Sequence, residues 1–571
     1  MLPPTLLLLA LGLSFVASVQ ATPYTGDVLV KLRDDVPAES WQRRDRLTAT
    51  VSALSRERQL PLRLRDAVSH RWLRLQPTAA LAPEAQQAML ARLRSDPRVA
   101  DVVLERREFS LAVTPNDTRF GEQWWLQPRA AGNTGAADFS TAWDRRSASA
   151  AGPVAVLDSG ITYHPDLAAS ILPGFDFVGD ADYAADGDGR DADPSDEGDA
   201  ISDPERQALP AKFGGCPPQT ISGWHGTIIA GQIGALTNNA NGVAGAGFGA
   251  TVLPVRVAAK CGAAQGDIVA GMRWAAGLPV DGVPTNPTPA RVIIVSYGSE
   301  AACDAVYADA IDEVRAAGAL VVAAAGNQRT GVFRPASCDG VFAVTALNRE
   351  GYKATYANYG PQVQLATPGG DDTTDGSCDI QLADGGLVST GNLGDTTPGL
   401  PGYVAASGTS FAAPSVAATA ALMLGVNPAL TVDQLSTGLR ATAAAFVQVP
   451  LLGTCAANDN PGRCTCTTSA CGAGQLDADQ ALAWAASPTT WVAPVRDAVT
   501  LRDARIEACA TILGRPVPPV TNPDPDPSTP PAPQPVPAPP ADSGGGATSP
   551  WWLIGLIGAV LALRRQRPGK P

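Results

Sequence analysis

Three histidines are all that 571 residues contain. Imidazole changes charge near neutral pH and is the usual base beside a serine nucleophile, so chemistry of that kind has few places to sit. Positive charge is short as well, with 42 Lys and Arg against 55 Asp and Glu and a net of -13. Nucleic-acid binding needs a basic footprint, and that class is excluded. No cysteine precedes Cys216, and the ten in the chain include no pair of Cys-x-x-Cys knuckles, which argues against zinc. Long apolar runs are scarce. Trp551 to Leu563 is the carboxyl-terminal one; at about 1.5 Å per residue it falls short of the roughly 30 Å hydrocarbon core, which argues against a permanent span.

The length implies two to four domains at roughly 100–200 residues each. Residues 1–21 are read as a signal peptide: an apolar core, Leu6 to Val16, then the small-x-small pattern Val19-Gln20-Ala21. The basic residues that usually open such a leader are missing, and a buried helix is the alternative. Export suits ten cysteines, since disulfides persist outside the cell. Residues 22–115 form an arginine-rich α+β block, with strands over 27–32, 71–75 and 99–105 and helices over 39–58 and 83–95. It holds 16 Lys or Arg against 12 Asp or Glu, a net of +4, so it is electrostatically suited to dock on the acidic chain that follows.

Over 116–486, apolar runs at 153–157, 251–257, 292–295, 320–324 and 341–345 alternate with helical stretches near 225–236, 265–276 and 303–317. That pattern predicts an α/β unit with a largely parallel sheet, whose sites lie at the carboxyl ends of its strands. Residues 487–543 are expected to be a linker, with proline at nearly every second position from Pro516 to Pro540. Residues 544–571 combine a glycine run with the short apolar segment and a basic end.

Three residues then stand out. Asp158 ends a strand before Ser159-Gly160, His225 sits in Gly223-Trp224-His225-Gly226-Thr227, and Ser410 opens the small-residue stretch Ser410 to Ala420. Singly each has an ordinary reading: a turn aspartate, a satisfied histidine, a helix-capping serine. Together they form an Asp…His…Ser order, each member where strand or loop turns into helix, which is one of the known chain orders of the catalytic triad. A hydroxyl is a poor nucleophile until an imidazole takes its proton, and a carboxylate holds that imidazole in the right tautomer. Asn327, just past the run at 320–324, offers an amide to a developing oxyanion, although an asparagine in a turn is the plainer reading.

Asp158-Ser159-Gly160, Trp224-His225-Gly226-Thr227, Ala324-Ala325-Gly326-Asn327 and Gly408-Thr409-Ser410-Phe411-Ala412-Ala413-Pro414 resemble the catalytic segments of subtilisin-like serine peptidases, in that family's order. The resemblance implies a three-layer subtilisin-like fold over 116–486 and a secreted endopeptidase that works through an acyl-enzyme. Asp158, His225 and Ser410 would be its triad and Asn327 its oxyanion donor. Ser296-Tyr297-Gly298 resembles the family's substrate-aligning strand, with tyrosine where an aliphatic residue is common. The block at 22–115 is similar to the inhibitory propeptide that such enzymes remove from themselves, with Thr114-Pro115-Asn116-Asp117 near the junction. The cysteine positions are similar to those of secreted bacterial members, which implies the pairs Cys216–Cys261 and Cys303–Cys338 and leaves the other six open. The tail resembles a glycine-rich sorting signal cut after export across the inner membrane, so export and tail-processing machinery join protein substrates as expected partners. A monomer is expected.

Residues 176–203 carry 11 acids and one arginine. Asp186, Asp188, Asp191, Asp193 and Asp196 place carboxylates on near-alternate positions around glycines, and Ca²⁺ accepts six to eight oxygens in flexible geometry. A structural calcium is the expectation; a solvated acidic loop is the alternative. Two rival classes remain. A silent binding scaffold would lack base or nucleophile. An α/β-hydrolase esterase needs Gly-x-Ser-x-Gly and the order Ser…Asp…His; Gly408 to Ala412 lacks the last glycine, and Asp158, His225 and Ser410 come in another order.

Overall fold

The computed structural model describes residues 24–33, 40–78, 83–106, 113–147, 152–372, 377–456, 462–494 and 498–517. The leader expected at 1–21, the proline spacer from 518 onward and the glycine-rich tail lie outside these.

The amino-terminal block is a four-stranded antiparallel sheet in the order β2-β3-β1-β4: β1 Tyr24–Leu32, β2 Leu62–Ala67, β3 Trp72–Pro77 and β4 Val99–Arg106. Helices α1 (Ser40–Glu57) and α2 (Pro83–Arg94) supply Leu47, Leu54 and Leu93 to a core shared with Val28, Val30, Leu73 and Leu75. Strand β2 was not expected from sequence. Leu62-Arg63-Leu64-Arg65 alternates correctly but is short, and as an edge strand it keeps its arginines in solvent.

The larger body is built on seven strands paired in parallel. In chain order they are β5 Val154–Asp158, β6 Phe175–Asp176, β7 Val252–Arg256, β8 Val292–Val295, β9 Leu320–Ala324, β10 Phe342–Leu347 and β11 Val363–Pro368; in space the order is β11-β10-β9-β8-β5-β7-β6. Almost every residue of β5, β7, β8, β9 and β10 is buried, which is why they appear in sequence as continuous Val, Ile, Leu and Ala runs rather than alternating ones. Helices α3 (His225–Gly234) and α7 (Thr409–Val426) pack on one face with the larger apolar cluster, α4 (Gln265–Ala275) and α5 (Ala305–Ala316) on the other with the smaller. The result is three layers. By length and composition α7 could cross a membrane, but 89% of it is buried, and its Ala, Ser and Thr positions let it lie close to the sheet as a core helix.

Further elements escaped the sequence reading, the two-residue edge strand β6 among them. Strand β11 lies at the edge of the sheet, and the hairpin β12 (Leu387–Asn392) with β13 (Pro401–Ala406) rests on α3. The hairpin is glycine-rich and half exposed, so no apolar run announces it.

The expected boundary at 486 is too early. Thr500 bridges to Gln448, helix α8 (Ala504–Ile512) packs on α6 (Ser377–Leu382), and Cys378 is bonded to Cys509. The segment looks like linker because it is short and polar, and its anchorage comes from a partner 131 residues away. Besides Cys216–Cys261 and Cys303–Cys338, the disulfides are Cys455–Cys464 and Cys466–Cys471. Replacing Cys378 and Cys509 together by Ser should cost about 2–4 kcal/mol, as removal of a bridge that closes a long loop usually does. Calorimetry should show a lower melting temperature, and a value equal to the parent would mean that α8 holds without its bridge.

Candidate active site

The crevice at the carboxyl ends of β5 and β8, where chain order along the sheet reverses, is where an open α/β sheet builds its sites. Asp158 is the last residue of β5 and is fully buried. His225 opens α3, and Trp224 before it takes the left-handed conformation, φ +48°, that turns the chain into the helix. Imidazole Nδ1 donates to Asp158 Oδ1 at 2.8 Å, and the same oxygen accepts Ser159 N–H at 2.8 Å.

That contact requires two backbones to touch. A Cβ on Gly226 would lie 2.1 Å from Gly160 O, and Gly160 itself has φ +99°, so both positions require glycine. Ser159 Oγ links the turns, accepting Gly226 N–H at 3.0 Å and donating to Asp196 at 2.7 Å.

Ser410 stands in the first turn of α7, behind Gly408 at the N-cap, and is 8% exposed. Its hydroxyl donates to Ser296 O at 3.3 Å rather than to the imidazole, while the ring of the adjacent Phe411 lies 5.2 Å from that of His225. Asn327 follows β9. Its Oδ1 accepts Thr409 N–H and Thr409 Oγ1–H, each at 2.9 Å, so the amide can face only one way. Its Nδ2 then lies beside Gly408, 3.5 Å from where a Cβ would be. This amide and the N–H groups of the first turn of α7 bring positive partial charge to the turn that carries Ser410.

The electrostatics follow from burial and one carboxylate. Burial alone would push His225 toward neutrality, but Asp158, through its charge and its hydrogen bond, more than offsets this, and the imidazole pKa lies above the ordinary histidine value. The Tyr297 ring lies 5.7 Å from His225, and burial together with Asp158 drives its phenol well above 10. His164, buried without such a partner, is shifted downward; its Nε2–H donates to Gly402 O and its Nδ1 accepts Asp166 N–H, the pattern of a neutral structural histidine.

Ser296, Tyr297 and Gly298 leave the end of β8 and run toward Ser299, which pairs with Arg334. Two residues that the sequence reading did not assign turn out to shape the site: Thr409, which orients Asn327, and Ser159, which joins the Asp158 and His225 turns. Their signal was only adjacency to the motif residues.

The five carboxylates expected to hold calcium do not gather. Among the described residues no three acidic side chains bring their oxygens within 4.8 Å of one another. Asp186 pairs with the buried Arg256, which also binds Asp176; Asp191 accepts the Asp193 amide, Asp193 the Ser195 amide, and Asp196 turns inward to Ser159 and Gly198. A guanidinium and local turns satisfy charges that the sequence pattern assigned to an ion, so that ligand set does not fit calcium as a cage.

A three-layer fold with an acid, an imidazole and a serine brought to its strand ends in that chain order defines the subtilisin class. The sequence model of the subtilase family matches residues 152–474, and the chain belongs to that family. An extracellular protease of Xanthomonas campestris is 39% identical over 407 residues, covering 71% of this chain and 62% of its own length. An extracellular basic protease of Dichelobacter nodosus is 37% identical over 366 residues, covering 62% and 55%. The chain thus spans about three fifths of the length of these curated relatives. A solved structure described as proteases from Pseudoalteromonas arctica matches with a TM-score of 0.57 and 39% identity, covering 65% of this chain and 100% of that one.

Because the chain has only three histidines, proton NMR can follow each. His225 should titrate above 6.5 and His164 below it. In Asp158→Asn desolvation is opposed only by the charges of Asp199 and Asp196, so His225 should titrate lower than in the parent; an unmoved titration would mean that the carboxylate does not set the imidazole.

Proposed function

We propose that this chain is an extracellular serine endopeptidase, made as a proenzyme and matured by its own activity. The observation that carries the proposal is the Asp158–His225 hydrogen bond together with a serine in the first turn of a buried helix whose next residue, Phe411, sets its ring 5.2 Å from the imidazole. In the reaction Ser410 Oγ turns from Ser296 O to His225 Nε2, gives up its proton and attacks the scissile carbonyl carbon. Catalytic hydrogen bonds often tighten only once substrate is bound. Asp158 keeps Nδ1 protonated and stabilises the imidazolium. The carbonyl oxygen, now an anion, meets the Ser410 N–H and Asn327 Nδ2; losing one such donor costs about 10²–10³ in turnover, a magnitude measured on a subtilisin asparagine. His225 then protonates the leaving amine, the C–N bond breaks, and the acyl-enzyme is hydrolysed when His225 takes a proton from water. The extended Ser296-Tyr297-Gly298 segment would align the substrate backbone.

The names of the Xanthomonas and Dichelobacter relatives support secretion. Residues 22–115 act in this reading as the inhibitory leader. Asn116 and Asp117 bond the 238–240 turn, so the cut should precede these anchored residues. Mass spectrometry of the secreted product should show a chain that begins no later than Asn116, whereas Ser410→Ala should retain the leader and lose casein turnover. A fluorophosphonate should label Ser410 in the wild type; no label would end the peptidase reading, and normal trimming of Ser410→Ala would assign maturation to another enzyme.

A structural calcium on the 176–203 loop would need oxygens beyond those five carboxylates, such as backbone carbonyls, and no step of the reaction passes through it. Excess EDTA should lower the melting temperature; an unchanged value would remove the ion from the proposal.

A further inference from the structure

The larger body buries an ion pair that the proposed reaction does not use. The side chains of Arg463 and Asp371 are 3% and 0% exposed, with Nε 2.7 Å from Oδ2. That same oxygen accepts Thr355 N–H at 2.8 Å and Thr355 Oγ1–H at 3.0 Å, while the Asp371 N–H donates to Asp384 Oδ1 at 2.7 Å. Next to Thr355, the Tyr356 hydroxyl is shared between Gly369 O at 2.9 Å and Gly370 O at 2.6 Å. Gly369 O also accepts the N–H of Gly408 at 3.0 Å, and Gly408 is the N-cap of α7, two residues before Ser410. The 369–371 turn is pressed against that approach: Gly370 has φ +74°, and a Cβ on it would lie 2.8 Å from Ser407 Oγ.

An unbroken series of contacts thus runs from Arg463 through Asp371, Thr355 and Tyr356, and the 369–370 carbonyls to the turn that presents the serine. Arg463 is brought to its place by a stretch closed twice over short spans, by Cys455–Cys464 and by Cys466–Cys471. Its neighbour Cys464 adds a bond from its carbonyl to the Lys353 N–H. A buried ion pair contributes little net stability relative to apolar side chains of the same volume, because desolvation offsets the attraction. Charged hydrogen bonds converging on one carboxylate oxygen do fix geometry closely.

We propose that Arg463 and Asp371 are a positioning pair for the reaction. They hold the 369–371 turn, and through Gly408 the first turn of α7, so that the Ser410 N–H and Asn327 Nδ2 converge on one point. This rests on the peptidase reading. The pair touches no reacting atom, so its removal should slow the chemical step and leave substrate binding alone; misplacement by about 1 Å can cost on the order of 10² in rate.

The test compares the full chain with the double variant Arg463→Met, Asp371→Leu, which removes both charges of the pair together, and with Arg463→Lys. On a peptide anilide the double variant should lose roughly 10–100-fold in kcat, as expected for such misplacement, with KM unchanged. Fluorophosphonate labelling should slow in parallel, and hydrogen exchange over residues 405–412 should speed up. Arg463→Lys, which keeps the charge, should fall between the two, and it carries the test alone if the double variant does not accumulate. Wild-type kcat in either variant overturns the proposal, including when the melting temperature falls, since that would leave the pair a purely structural role. If the parent neither labels nor turns over substrate, the peptidase reading has failed, and the exchange measurement still decides the pair: unchanged exchange over 405–412 rejects it.

Discussion

The hydrogen bond from His225 to the fully buried Asp158 is the contact on which the rest of the site depends. Taken from water, an imidazole prefers to be neutral, and a neutral ring is free to choose its tautomer. The carboxylate removes that freedom. It holds the proton on Nδ1, turns Nε2 outward as the acceptor, and raises the cost of leaving the ring uncharged. The bond forms only because two turns approach to backbone contact at Gly160 and Gly226, where any side chain would collide with a carbonyl. Motif glycines and motif acid therefore serve one purpose, which is to bring a strand end and a helix start within 3 Å of each other.

Charge is buried with economy elsewhere in this body. Asp176 is held against Arg256 at the ends of β6 and β7, where burial pushes its carboxyl up to about 7 in spite of the guanidinium, and Asp371 is held against Arg463 behind the serine turn. In each case an arginine ties a loop to a strand terminus, the part of a parallel sheet that hydrogen bonding within the sheet leaves free. Small residues do the complementary work. Ala, Ser and Gly along α7 let the helix seat against five strands, so that the serine in its first turn inherits the rigidity of the sheet.

Much of this was legible beforehand. Strands over 292–295 and 320–324 and helices beginning at 225 and 265 stand where apolar runs and small-residue stretches placed them, because central parallel strands and buried helices carry their burial pattern in their own residues. The elements that were missed are edge or half-exposed ones, β2, β6, β11 and the β12–β13 hairpin, whose ordering comes from neighbours rather than from their own hydrophobicity. The candidate residues Asp158, His225, Ser410 and Asn327 could be named because their flanking glycines and threonines are local in sequence. Thr409 and Ser159 could not be assigned a role, since a hydroxyl acquires one only from what it faces.

Local chemistry along the chain therefore settles which segments are strands, which are helices, and which acid, imidazole and hydroxyl are candidates for one site. Packing across the chain settles what no local window contains: that α8 belongs to the body through Cys509, that the acidic loop turns its carboxylates to Arg256 and to its own amides, and that Arg463 reaches the turn behind Ser410. The reason is distance along the chain. Burial periodicity and turn propensity act over a few residues, whereas ion pairs, disulfides and the facing of a hydroxyl depend on partners dozens to hundreds of residues away.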